Sequence, residues 1–376
     1  MLSALEPYGI STGYRMIIAG GGTGGHLFPG IAIAQAFVAK HLRNQVLFIN
    51  AGRPMDTEVL TRLKWPYMTI PIQGIKQHGR LHQISAVLKI PRALVSSSRI
   101  IRQFNPDVVL GVGGYSAGPV VMAAWMMRIC TALHEQNQLP GLTNRLLRRM
   151  VKRIYLTFED ESHYFAPDKC VVSGNPVRDE IIALGGHDKR LQSMDTFTLL
   201  ILGGSQGAHA INQAMVEALP FLRKEKETQG LKIIHQTGRQ DENLLSQAYA
   251  SAGVTADVKT FFTRVAEQYH QADLIICRAG ATTVAEITAV GRAAIFIPFP
   301  HAADDHQTNN AKALVTAGAA EMIQQKELSG KVLAQKIITH IRNRGNLSQM
   351  ADRALTLGRP DAALTIVNDI YKLIEG

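Results

Sequence analysis

Residues 16–37 read MIIAGGGTGGHLFPGIAIAQAF, a short apolar run that breaks into glycines and resumes as an apolar helix pattern around Pro29. Residues 199–219 read LLILGGSQGAHAINQAMVEAL and repeat the plan of strand, glycine-rich turn and helix. An apolar run without alternation is how a strand reads when both faces of its sheet are covered. Each stretch therefore points to a parallel sheet with helices on both sides. Comparable runs recur at 45–50, 107–112, 130–135, 153–158 and 170–175, and again at 232–238, 258–262, 273–280 and 293–299. Helical patterns lie between most of them. The expected fold class is α/β, with two doubly wound parallel-sheet domains in tandem, each opening on a turn able to bind an anion.

At 376 residues the chain is long enough for two such cores. The first domain is expected over 1–180 and the second over 181–357, joined near the polar stretch HDKRLQSMDT (187–196). A break at Gly358-Arg359-Pro360 precedes an amphipathic helix within 358–376 that can pack on either domain. Cys130, Cys170 and Cys277 form no CxxC pair, which argues against a disulfide framework or a zinc site and fits a reducing compartment. Residues 1–15 lack the basic start and apolar core of a signal peptide. The longest apolar run, AGPVVMAAWMM at 117–127, is too short to span a bilayer. The formal charge of +10 asks for an anionic partner.

Gly20, Gly22 and Gly25 satisfy G-x-G-x-x-G, but a dinucleotide site also needs an acid at the end of the next strand. Asn50 stands there, and Asp56 lies well beyond. No Lys-Ser/Thr pair follows the glycines, so a Walker loop fails as well. His26 reads either as a helix-start residue satisfied by backbone or as a base able to take a proton from a hydroxyl. Its place at the carboxyl end of a strand favours the base, because ligands bind there in open α/β sheets. GGSQGA (203–208) reads as a diphosphate cradle, with backbone N–H groups, the following helix dipole and the Ser205 hydroxyl as donors. Glu286, in CRAGATTVAE (277–286), fits two roles equally by spacing: acceptor for a ribose diol, or partner of Thr283 in a capping box. Asp304, Asp305 and His306 lack the further ligands of a metal site; Gln307 and Asn310 read as neutral hydrogen-bonding groups for a sugar.

Taken together and in order, GGTGGHLFPGIAIA (21–34), GVGGYSAGP (111–119), HEQNQLPGLTN (134–144), GNPVR (174–178), GGSQGA, CRAGATTVAE and PFPHAADDHQTNNA (298–311) resemble the bacterial MurG glycosyltransferase family. The resemblance covers nearly the whole chain. It implies the GT-B fold, two Rossmann-like domains facing across a cleft. The activity it implies is inverting transfer of N-acetylglucosamine from UDP-GlcNAc to the C4 hydroxyl of lipid I, forming lipid II, without a cofactor or metal. By the same resemblance Thr23, Gly24 and Gly25 lie at the sugar–diphosphate end of the donor, and Asn137, Arg178 and Ser205 contact the donor or its phosphates. Phe262 falls beside the uracil, where isoleucine is commoner in the family. Ala281, Thr282, Thr283, Val284, Ala285 and Glu286 hold the nucleotide, with Glu286 on the ribose, and Gln307 contacts the transferred sugar. His26 matches the proposed base. Two other enzymes of this fold, a diacylglycerol glycosyltransferase and a UDP-GlcNAc 2-epimerase, are disfavoured by HEQN and GGYSAGP.

The basic balance then acquires a place. Residues 76–102 carry six Lys or Arg and residues 144–153 five, with no acid in either stretch. Interleaved with apolar residues, they are expected to meet anionic lipid on the cytoplasmic face of the cell membrane as a peripheral surface. Other cell-wall synthesis or division proteins are further prospective partners. Nucleic acid is not expected, since no binding motif accompanies the charge and aromatics make up only 6%.

Overall fold

The computed structural model describes residues 13–72, 89–160, 163–183, 196–204, 207–302 and 305–376. Two sheets organise it. The first runs β3-β2-β1-β4-β5-β6-β7, from β1 (Arg15–Ala19), β2 (Gln45–Asn50), β3 (Tyr67–Thr69), β4 (Val108–Gly111), β5 (Cys130–Glu135), β6 (Arg153–Leu156) and β7 (Cys170–Val172). The second runs β10-β9-β8-β11-β12-β13, from β8 (Phe197–Leu202), β9 (Leu231–Gln236), β10 (Thr255–Lys259), β11 (Leu274–Cys277), β12 (Ala293–Phe296) and β13 (Glu321–Met322). Neighbouring strands in both sheets pair in parallel. The order reverses beside β1 in one sheet and beside β8 in the other, and these switch points are where open α/β sheets hold ligands.

The uninterrupted apolar strands follow from two-sided burial. Met16 and Ile18 of β1 join the core under the helix Gly24–Lys40, while Ile17 and Ala19 face the helices Ile90–Phe104 and Ala117–Met126. In β8, Phe197, Leu199 and Ile201 enter one core and Leu200 and Leu202 the other.

The chain crosses between domains twice. After β7 it passes through Gly174, and Val177 and Ile181 are already in the second domain's core. It returns after the helix Arg344–Leu357, and the helix Ala362–Glu375 packs on the first domain. Ala363, Ile366, Val367 and Ile370 are buried there against the helix Gly24–Lys40. Asp369 pairs with Arg153 at 2.8 Å and accepts from the Tyr155 hydroxyl at 3.0 Å. The two crossings touch, since a side chain at Gly174 would collide with Cβ of Arg359.

Candidate active site in the interdomain cleft

The carboxyl ends of both sheets face a common cleft, and a few contacts bridge it. Thr282 donates its hydroxyl to the Gly25 carbonyl at 3.1 Å. That carbonyl is free for a reason written in the sequence: its helical partner would be the N–H four residues on, and Pro29 has none. Arg178, on the first crossing, lies over the Phe28 ring at 4.4 Å and reaches Glu286 of the second domain at 3.0 Å. Between these contacts lies a cavity of about 260 Å³, lined among others by Gly24, Gly25, Arg178, Gly204, Thr282 and Glu286.

Two helix N-termini open here. The helix Gly24–Lys40 starts behind Thr23, whose carbonyl takes the N–H of His26 and Leu27, leaving the amides of Gly24 and Gly25 without helical partners. The helix Ala281–Val290 starts behind Gly280, and the amides of Ala281, Thr282 and Thr283 are free in the same way. Amides at helix starts, with the dipoles behind them, favour an anion. Arg178 adds a full positive charge beside them.

Glu286 is not a capping residue. The helix begins at Ala281, so Thr283 lies inside its first turn and the capping-box alternative falls. The Glu286 carboxylate instead accepts from Arg178 Nη2 at 3.0 Å on Oε1 and from the Tyr269 hydroxyl at 2.9 Å on Oε2. Burial pushes the Tyr269 hydroxyl well above its ordinary pKa, and the neighbouring carboxylate pushes it the same way, so it stays a donor. Each carboxylate oxygen keeps a lone pair for a further donor.

On the first-domain side His26 is half-buried, with Nδ1 at 3.0 Å from Gln136 Oε1. It sits on the turn beside Gly24 and Gly25 but does not line the cavity. Gly113, at φ 93°, passes so close that a Cβ would stand 2.8 Å from His26 Nδ1. The glycine turn itself is held from outside: Asp56 accepts from the Gly22 amide at 2.7 Å, and Arg53 donates to the Gly22 carbonyl at 2.8 Å. Glu135 accepts from the amides of Asn137 and Gly141 and from Asn144, fixing the loop that carries Asn137.

The remaining expected residues divide by position. Thr283 and Phe262 line the cavity, but the Phe262 side chain is only 4% exposed, whereas the adjacent Phe261 is 39% exposed and lines it too. Ala281, Val284 and Ala285 pack toward the core; of the three only Ala281 keeps a free amide at the helix start, since that of Val284 donates to the Gly280 carbonyl at 2.9 Å. Gln307 Oε1 accepts from the Phe299 amide, and its NH2 has no partner among the described residues. Ser205 and Asp304 lie outside the described residues. Among the described residues no cluster of three His, Cys, Asp or Glu could hold a metal, and no helix is long and apolar enough to cross a membrane. Sequence reasoning passed over Gln136, Tyr269 and Gln236; Gln236 ties the Gly204 carbonyl to the Phe262 amide. Gln136 stood within the HEQN motif, but nothing in the spacing brings Tyr269 to Glu286.

The model of the glycosyltransferase family 28 N-terminal domain matches residues 16–156, and that of the C-terminal domain matches residues 198–366. The chain belongs to glycosyltransferase family 28. A relative in Syntrophus aciditrophicus, named UDP-N-acetylglucosamine--N-acetylmuramyl-(pentapeptide) pyrophosphoryl-undecaprenol N-acetylglucosamine transferase, is 49% identical over 96% of this chain and 99% of its own length. A relative of the same name in Geotalea uraniireducens is 45% identical over 95% and 98%. The crystal structure of Acinetobacter baumannii MurG superposes with a TM-score of 0.75 at 34% identity, covering 96% of this chain and 99% of that one. UDP-GlcNAc 2-epimerase from Neisseria meningitidis, at 15% identity and a TM-score of 0.67, shares the fold alone. This family 28 chain is thus a glycosyltransferase of the MurG kind, and its facing Rossmann-type domains are the GT-B arrangement.

Proposed function

We propose that the chain transfers N-acetylglucosamine from UDP-GlcNAc to the C4 hydroxyl of the MurNAc sugar of lipid I, with inversion, to give lipid II. The observation that carries this reading is near full-length identity of 49% with a relative named for that transfer. The cleft chemistry supports it. The diphosphate would lie against the amides of Gly24, Gly25 and Ala281–Thr283, with Arg178 and Ser205 stabilising the charge that grows on departing UDP. Glu286 would take the ribose diol, and Phe261 with Phe262 would flank the uracil. Asn137 and the free NH2 of Gln307 would meet the transferred sugar. His26 would accept the proton of the attacking hydroxyl, and closure over the donor would keep water from competing as acceptor.

The acceptor is lipid-linked, and a basic–apolar face suits an anionic membrane. The helices Ile90–Phe104, Ala117–Met126 and Leu142–Leu147 pack side by side. They and the adjoining turns expose Arg92, Val95, Arg99, Trp125, Met126, Leu142, Leu146 and Arg149, with Trp125 at 49% and Leu146 at 68%. We read this face as a peripheral contact with the cytoplasmic leaflet; residues 76–88 of the basic stretch lie outside the described residues. Incubation with UDP-GlcNAc and lipid I, followed by mass analysis of the lipid, tests the activity. A lipid product heavier by one N-acetylhexosamine is expected. Epimerisation of UDP-GlcNAc without an acceptor, or no glycosylated lipid, would refute it.

A further inference from the structure

A buried chain of hydrogen bonds behind His26 decides which of its ring nitrogens carries the proton. Gln136, at the end of β5, is 1% exposed and touches three groups. Its Nε2 lies 2.8 Å from the Val112 carbonyl and 3.0 Å from His134 Nδ1, and its Oε1 lies 3.0 Å from His26 Nδ1. A backbone carbonyl can only accept, so the amide NH2 must point to Val112 and the oxygen must face His26. An amide oxygen can only accept too, so His26 Nδ1 must be the nitrogen that bears hydrogen. Nε2 of the neutral ring is then left bare, and it has no hydrogen-bond partner among the described residues.

His134 reinforces this direction. It is fully buried, and burial lowers its pKa to about 3, so it stays neutral and its Nδ1 can accept the second Gln136 N–H. A charged His134 would donate at that nitrogen and oppose the arrangement. Gly113 closes the assembly from the other side, because any side chain there would enter the space of the His26 ring and come within 3.5 Å of Gln136 Oε1.

We propose that Gln136 is a positioning residue that locks His26 in its Nδ1–H tautomer, leaving Nε2 as the base that takes the acceptor proton, with Val112 and His134 fixing the amide. The catalytic half rests on the reading of His26 given above; the tautomer half stands without it. Gln136 is neutral, so its hydrogen bond fixes the orientation and tautomer of the ring without placing a charge at Nδ1. Among the described residues, Asp56 on the helix Pro54–Arg62 and His134 on β5 lie within electrostatic reach of His26.

Two measurements separate the halves. Two-bond 1H–15N correlation spectra of histidine-labelled protein above pH 7, with His26 assigned by its loss in His26→Ala, should show His26 protonated on Nδ1 and His134 on Nε2. A His26 ring protonated on Nε2 overturns the proposal whatever the activity. In kinetics, His26→Ala tests the base reading and Gln136→Leu the positioning. The latter should lose roughly 10- to 100-fold in kcat, part of what a general base supplies, with KM for UDP-GlcNAc within about two-fold. In Gln136→Glu the carboxylate stabilises the imidazolium and raises its pKa, so the acidic limb of kcat should move up by about one pH unit. A merely structural role would lower kcat equally at every pH. If His26→Ala is inactive while Gln136→Leu keeps wild-type kcat, the positioning role is wrong. If His26→Ala keeps its kcat, the base reading and the catalytic half of the proposal fall together.

Discussion

Replacing Glu286 with alanine removes one carboxylate from three prospective partners, and the structure separates the costs. Without ligand, Arg178 and Glu286 form a pair whose side chains are only 12% and 8% exposed, and Tyr269 donates to the same carboxylate. Removing the acid leaves the buried Tyr269 hydroxyl without its acceptor and the buried guanidinium with only the exposed Glu180, 3.4 Å away. Breaking a buried pair from one side costs about 3–5 kcal/mol, which is an upper bound here. For a domain of this size that lowers Tm by roughly 6–20 °C. Lower stability therefore follows whether or not Glu286 meets the ribose, so melting alone cannot test the ribose contact. Affinity can. A hydrogen bond from a diol to a charged acceptor is worth about 1.5–3 kcal/mol, so UDP should bind about 10- to 150-fold more weakly to Glu286→Ala. Part of that loss would come through a displaced Arg178, which we propose meets phosphate rather than sugar. Titration calorimetry with UDP and 2′-deoxy-UDP on wild type and mutant resolves this, because only a direct ribose contact makes the two deletions non-additive. The mutation should cost clearly less with 2′-deoxy-UDP. Equal losses for both nucleotides would refute the contact at that hydroxyl and leave Glu286 as the partner of Arg178.

Three further outcomes are expected. Gly113→Ala places a methyl group 2.8 Å from His26 Nδ1 on a backbone at φ 93°, so kcat should fall at least about ten-fold while UDP affinity holds; steady-state kinetics beside calorimetry checks both. Reversing Arg92, Arg99 and Arg149 to glutamate should weaken sedimentation with anionic vesicles by about 1 kcal/mol per residue at low salt, with activity on a water-soluble acceptor little changed; equal wild-type binding to neutral and anionic vesicles would sink the membrane reading. Glu321 is held down to a pKa of about 2 chiefly by His340, whose Nε2 lies 3.2 Å from its carboxylate, with Lys336 assisting. A depressed carboxylate stabilises the fold above its unfolded pKa and loses that contribution as pH falls, here between about 4.5 and 2, so Glu321→Gln should flatten the acid limb of second-domain stability measured by denaturant melts.

The sequence carried the sheets well where strands are buried on both faces, because such strands are apolar throughout. It missed β3 (Tyr67–Thr69) and β13 (Glu321–Met322), two short edge strands whose residues are largely half-exposed or exposed and leave no apolar run. The glycine turn after β1 was legible because φ above zero at Gly20, Gly21 and Gly22 demands glycine. The spacing of Thr283 and Glu286 left a cap open, and only the observed start at Ala281 removed it. Partners that meet through the tertiary fold, Glu286 with Tyr269 or His26 with Gln136, lie 17 and 110 residues apart and leave no local pattern. The same holds for Phe261 and Phe262, where sequence gives two adjacent rings and the turn geometry decides which one is exposed.

The helix Ala362–Glu375 has a consequence for how the molecule is made. Ile366, Val367 and Ile370 fill a slot in the core of the first domain, and burying each such side chain is worth about 1.5–3 kcal/mol. During synthesis that domain emerges first and would ordinarily fold as a unit. Here its sheet is complete once β7 has appeared, yet the apolar groove along the helix Gly24–Lys40 stays open until residue 370 has been added. The residues of the second domain are made in the interval, before the helix that seals the first. Sealing of the half that would carry the base thus waits for synthesis of the half that would carry the nucleotide, so a chain halted before residue 362 leaves an apolar groove uncovered that chaperones and proteases can recognise.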